Sequence, residues 1–121
     1  GMRQRVSIAR ALALDPEVLM MDEPFGALDA ITREEMSEFL LEIWERTGKT
    51  IVLVTHSIDE AAFLSREVHV MASNPASIIE AMTIDLPYPR NEDSYAAPEF
   101  ARATARLRRL LKEGHRHAAA A

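Results

Sequence analysis

Asp22 and Glu23 stand side by side at the end of an unbroken apolar run, Val18-Leu19-Met20-Met21, with Pro24 directly after them. A run this short, bounded by Pro16 and Pro24, predicts a strand of a parallel sheet covered on both faces. Open α/β sheets keep their ligands beyond the carboxyl ends of the strands, which is where these two carboxylates fall. The first can hold Mg²⁺, largely through water, because that ion takes hard oxygen donors and keeps much of its hydration. The second can orient or deprotonate a water that attacks a phosphate. Taken alone, the pair reads equally well as a solvated strand end before a proline. A second apolar run, Ile51-Val52-Leu53-Val54, ends just before Thr55-His56-Ser57. Two neighbouring strands therefore end in Asp-Glu and in His. An isolated histidine at a strand end is more often satisfied by a backbone group.

The elements that must place these residues follow from spacing and capping. Arg3 to Leu14 predicts a helix with Val6, Ala9 and Ala13 at helical spacing, stopped by Pro16. From Asp29 onward Met36, Phe39, Leu40 and Ile43 predict a second helix. Asp29, or Thr32 with Glu35 as a capping box, opens it, and Gly48 sits where a C-cap belongs. Ser57 with Glu60 caps a third helix carrying Ile58, Ala61, Ala62 and Leu64. The strand-helix alternation predicts an α/β fold with right-handed crossovers. Val68 to Met71 and Ile78 to Leu86 predict two further strands paired as a hairpin around the turn Ser73-Asn74-Pro75. Pro87 and Pro89 end the sheet region, Asn91 to Ser94 read as a polar connector, and a last helix starts near Pro98. Its apolar stripe is Phe100, Ala103, Leu107, Leu110 and Leu111.

Composition narrows the functions open to such a fold. A chain of 121 residues suits one domain, and its 48% hydrophobic and 27% charged residues are those of a globular protein rather than a disordered one. A net charge of -5 argues against binding nucleic acid by bulk electrostatics. Without cysteine there is no disulfide or thiolate-metal scaffold. No apolar run is long enough to cross a bilayer as a helix. The opening Gly1-Met2-Arg3-Gln4-Arg5 reads as a cut, or Gly1 as a tag remnant, and His117 to Ala121 as a tail. The last helix is basic through Arg102, Arg106, Arg108, Arg109, Lys112 and Arg116. An anionic lipid or acidic partner could use that face, though a solvated face explains it as well. His115 and His117 form a poor metal-ligand set.

Four motifs in order resemble those of the ATP-hydrolysing subunits of ABC transporters. Gly1 to Arg5 is similar to the end of the ABC signature, Val18 to Glu23 to the Walker B strand, Gly26-Ala27-Leu28-Asp29 to the D-loop, and His56 to the H-loop histidine. The resemblance covers Gly1 to about Leu86 as a partial ABC ATPase domain, with 87–121 as linker, amphipathic helix and tail. Met21 to Asp29, read with Ser57 to Ala62 and Asp85 to Arg90, looks most like importers of the nitrate, sulfonate and taurine group. The resemblance implies a C-terminal portion of the P-loop NTPase fold using ATP and Mg²⁺. It implies Asp22 as the magnesium-side carboxylate, Glu23 as the residue polarising the attacking water, and His56 as a γ-phosphate contact. Asp29 would reach across a dimer interface, as well as or instead of capping its helix, and Gly1 would face the γ-phosphate of the opposite subunit. Implied partners are a second ATPase subunit, membrane permease subunits and, indirectly, a solute-binding protein. The implied location is the cytoplasmic face of the inner membrane.

Two departures qualify the resemblance. Met2 stands where the common signature has glutamine. More consequentially, the sequence contains no Gly-x-x-x-x-Gly-Lys-Ser/Thr run, so the amide cradle and lysine for the phosphates are missing. The family's Walker A strand lies between the strand before His56 and the strand near Val68. Its absence predicts unpaired edges and self-association, or else a sheet rearranged by closure of the two flanks. It also predicts an inactive chain when alone. The alternatives are a non-enzymatic interaction fragment, a dimer partner of an intact subunit, and an ATPase of the DNA-repair and chromosome-maintenance kind. Acidic charge and the short run from Gly1 to Asp22 weigh against the last.

Overall fold

The structure, a computed structural model, describes residues 2–72 and 76–120, the last four of these in backbone only. The expectations for Gly1, for the turn Ser73-Asn74-Pro75 and for the His117 side chain lie outside the described residues. The element order is α1 (Met2–Ala13), β1 (Val18–Asp22), α2 (Ala30–Thr47), β2 (Thr50–Val54), α3 (Ile58–Leu64), β3 (Glu67–Ala72), β4 (Ser77–Thr83), a short 3-10 helix (Glu92–Ala96) and α4 (Pro98–Ala120). These elements group into two compact units, Gly1–His56 and Ser57–Ala121.

In the first unit β1 and β2 form a parallel ladder with Val18 opposite Thr50, Met20 opposite Val52 and Asp22 opposite Val54. Strand side chains alternate between faces, so these three pairs share one face. That face is open: Val18 is 51% exposed, Met20 74%, Val52 42% and Val54 52%. On the other face Leu19 is buried and Met21, Ile51 and Leu53 are half-buried. The expectation of strands covered on both faces is therefore corrected, since one face of this ladder has no covering layer. The core of the unit is Ile8, Leu19, Phe25, Met36, Leu40 and Leu41. In α1 the inward residue is Ile8, while Val6, Ala9 and Ala13 are exposed. The buried stripe of α1 thus runs through Ile8 and not through the Val6, Ala9 and Ala13 expected from spacing.

Helix α2 starts and stops for local reasons. Asp29 is extended and its side chain accepts from the Thr32 amide at 3.2 Å, so Asp29 rather than Thr32 is the cap. Gly48 ends the helix in the left-handed conformation, φ 64, donating its amide to the Trp44 carbonyl. At the end of α1 the chain turns through Asp15, φ 48, and Lys49 Nζ holds the Asp15 carboxylate at 2.6 Å and the Pro16 carbonyl at 2.7 Å.

In the second unit α4 packs on an antiparallel hairpin, β3 with β4, which carries a bulge at Val70/Met71, and α3 packs on α4. The hairpin and closing helix match the expectation, although Ile84 and Leu86 are buried beyond the end of β4 rather than within it. Ser57 caps α3 by accepting from the Glu60 amide. The polar connector 91–94 opens a 3-10 helix capped by Asn91, with a reciprocal Asn91–Ser94 capping box. Phe63 stacks on Tyr95 at 4.5 Å, and Tyr95 meets Phe100 edge-on at 5.3 Å. Along α4, Phe100, Ala103, Leu107 and Leu110 face inward as expected, while Leu111 is 38% exposed. Part of the basic outer face is paired, Arg106 with Glu80 and Arg102 with Glu99. Arg90 is buried; its guanidinium donates to the Phe63, Ser65 and Leu86 carbonyls and stacks 4.1 Å over Tyr88. Burial without a carboxylate pushes its pKa down from the usual arginine value.

The described strands form two separate ladders, β1-β2 and β3-β4, each strand keeping a free edge. A single sheet closed over the gap is not formed. No helix among the described residues is long and apolar enough to cross a membrane.

Candidate functional site

The parallel register decides which side chains meet. Asp22 ends β1 opposite Val54, and the Glu23 amide extends the ladder by donating to the Val54 carbonyl at 2.8 Å. His56 follows Val54 by two residues. The two strand ends therefore bring Glu23 Oε1 to 3.3 Å from His56 Nε2. The contact has ion-pair distance but not hydrogen-bond alignment, and Oε1, itself buried, has no hydrogen-bond partner. Most of the His56 side chain is open, at 94% exposure against 36% for Glu23. Asp22 is exposed and lies on the same open face as Met20 and Val54.

Glu23 also has unusual backbone. Its φ of 49 is the left-handed conformation, which costs a residue with a Cβ roughly 1–2 kcal/mol. The turn it begins is closed by the Gly26 amide on the Glu23 carbonyl, 3.4 Å, and by the Leu28 amide on the Phe25 carbonyl, 3.1 Å. Phe25, fully buried, anchors the turn. Gly26 lies against the Glu23 side chain: a Cβ there would stand 3.3 Å from Glu23 Oε2. Asp29, at the end of the turn, is held ionised below the usual carboxylate range by its hydrogen bond from Thr32.

A cavity of about 220 Å³ opens beside Asp22, between α1, which contributes Gln4, Ser7 and Ala11, and the segment that carries Leu19 and Phe25. Among the described residues no three His, Cys, Asp or Glu side chains converge as a metal cluster.

Of the residues singled out from sequence, Glu23 and His56 come together, with Asp22 adjacent in the chain. Asp29 ends the same turn as a helix cap. Two participants had no signal in the motif spacing. The motif places Gly26 in a loop but does not show its contact to Glu23. Arg33 was not singled out, yet its guanidinium donates to the carbonyls of Phe25 (3.3 Å), Gly26 (3.5 Å) and Leu28 (3.0 Å).

The ABC transporter family profile matches residues 1–26. The taurine import ATP-binding protein TauB of Pseudomonas entomophila is 53% identical over 103 residues, which is 85% of this chain and 38% of that protein. TauB of Pseudomonas putida is also 53% identical over 103 residues, 85% of this chain and 37% of that protein. The solved structure of cbiO1 from Clostridium perfringens, part of the ABC transporter complex cbiONQ, superposes with a TM-score of 0.57. It is 29% identical, and the match covers 92% of this chain and 40% of that one. The chain thus carries part of the ABC-transporter ATPase fold. Within that class its sequence resembles the taurine-type group of ATP-binding subunits. It spans about two fifths of the length of the relatives it matches, 38% of one and 37% of another.

Proposed function

We propose that this chain is part of an ATP-hydrolysing subunit that powers an ABC importer of taurine-like or related solutes. The observation that carries the reading is the meeting of Glu23 and His56 at the ends of adjacent parallel strands, 3.3 Å apart, on a chain similar to import ATP-binding proteins. In this reading Asp22 holds the Mg²⁺ side of the site. Glu23 orients the attacking water, its buried and unpartnered Oε1 being an acceptor in want of a donor. His56, largely exposed, contacts the γ-phosphate. Gly1 and Asp29 serve the dimer interface with a second ATPase subunit, and the assembly sits under permease subunits on the cytoplasmic face. The ATPase-like domain runs to residue 86, with 87–121 as an appended linker and helix.

The fit to Mg²⁺ and ATP is partial. The carboxylates and imidazole suit the metal and water side of such a site, where the bound metal would neutralise developing phosphate charge. The phosphates themselves have no amide cradle or lysine in this sequence. The chain alone is therefore expected to give no turnover, and calorimetric titration with Mg-ATP should give no tight binding. Tight binding by these 121 residues would overturn that expectation.

A second reading, a non-enzymatic fragment that docks on a partner, is favoured by the open apolar face of Val18, Met20, Val52 and Val54. The two readings separate on one point: only the first requires the Glu23 carboxylate for an activity measured in a mixed assembly.

A further inference from the structure

The geometry assigns Arg33 as the positioning residue of the turn that connects Glu23 to Asp29, an inference that rests on the proposed roles of those two residues. Arg33 sits in the fourth position of α2, after the Asp29 cap. A cation there opposes the helix dipole, and within the first turn itself, beyond the Asp29 cap, α2 has no acidic residue. Nor does Arg33 form an ion pair with any described carboxylate. Its charge is used on backbone instead: Nε donates to Phe25 O, and Nη2 to Gly26 O and Leu28 O. A planar guanidinium can address several carbonyls at once, which a lysine ammonium on one flexible stem does not reproduce.

The consequence for the site is geometric. The turn is tied at its start to the ladder through Glu23 and at its end to α2 through Asp29. Between these ties its own amides bond, among the described residues, to the carbonyls of Glu23 and Phe25, at 3.4 and 3.1 Å. The carbonyls of Phe25, Gly26 and Leu28 are collected by Arg33, that of Phe25 in addition to its bond from the Leu28 amide. Gly26, one of the three residues so held, is also the one lying against the Glu23 carboxylate. Arg33 thereby fixes the floor beneath Glu23 without touching it. A local rule broken at a helix start, beside a left-handed Glu23, is the pattern expected where local stability yields to site geometry.

The test compares the 121-residue chain with its Arg33→Gln and Arg33→Lys variants by amide hydrogen exchange. Loss of the guanidinium should speed exchange at Gly26 and Leu28 by about tenfold or more, with Lys giving a smaller rise, while Met36 to Ile43 and the β1-β2 ladder keep wild-type rates. Unchanged rates at Gly26 and Leu28, or an equal rise across α2 and the ladder, would overturn the assignment. A second readout uses the chain combined with a polypeptide that supplies a phosphate-binding loop. There Arg33→Gln should lower kcat by about tenfold with KM for ATP within twofold; an equal kcat, or a loss confined to KM, counts against positioning. If the combination hydrolyses no ATP at all, the proposed function fails, and the exchange rates still decide whether Arg33 holds the turn.

Discussion

Glu23 Oε1 lies 3.3 Å from His56 Nε2, although 32 positions separate the residues (56 minus 23, less one). Nothing but the parallel pairing of β1 with β2 makes them neighbours, and Glu23 reaches the position only by adopting a left-handed backbone. Strain of that kind gives a direct test. Glu23→Gly should leave the first unit as stable as wild type or up to about 1 kcal/mol more stable, since glycine adopts φ > 0 freely but loses more chain entropy. Glu23→Val should cost about 1–2 kcal/mol. Chemical denaturation of the two variants measures the difference, and equal stabilities would contradict the left-handed corner.

The open face of the β1-β2 ladder and its free edges should make the chain self-associate. Met20 is 74% exposed at the centre of that face. Met20→Lys should weaken association about tenfold, the equivalent of re-exposing one methionine side chain at about 1.5 kcal/mol, with little effect on folding. Sedimentation velocity over a concentration series reads both quantities. A wild-type chain that stays monomeric at high concentration contradicts this expectation.

Acid should weaken the first unit through Asp15. The hydrogen bond and charge of Lys49 hold its carboxyl below the ordinary value of 3.8. A depressed folded-state pKa means the contribution is fully present above the unfolded value and is lost as pH falls below it. Asp15 is fully exposed, so the effect is small. Melts at pH 5 and pH 3 should show a larger loss for wild type than for Lys49→Met, which has no such coupling to lose.

In the second unit Arg90 is the residue whose loss should cost most among the polar ones. Truncation to Met leaves the carbonyls of Phe63, Ser65 and Leu86 without this donor in a buried setting. The expected cost is about 3 kcal/mol. Urea denaturation should show it, with Arg90→Lys intermediate. A cost under about 0.5 kcal/mol would mean that water replaces the guanidinium, as at surface sites.

Much of this arrangement was legible from sequence because local chemistry determined it. Asp29, Gly48 and Ser57 cap helices through bonds that span only a few residues, and the short apolar runs before Asp22 and His56 are strands. That two neighbouring strands end in Asp-Glu and in His was equally legible; the 3.3 Å approach of Glu23 to His56 comes from the parallel register of the folded chain. What escaped depends on contacts between distant residues. An apolar run looks the same whether one face or both are covered, so the exposure of Met20 and Val54 could not be read. Ile8 was missed because α1 is rich in alanines, which fit either phase of the helix. Phe63 lies on a seven-residue helix too short for its stripe to stand out. Arg33 and Arg90 bond to backbone carbonyls whose positions only the folded chain defines. A cation in the first turn of α2 was the one sequence signal for Arg33.

The most direct test combines this chain with a polypeptide that supplies a Gly-rich phosphate-binding loop and measures ATP hydrolysis with and without Glu23→Gln. Hydrolysis by the wild-type mixture should fall by a factor of about 100 or more in the variant, as for loss of a general base, with neither component active alone. Equal activity of wild type and Glu23→Gln would contradict it.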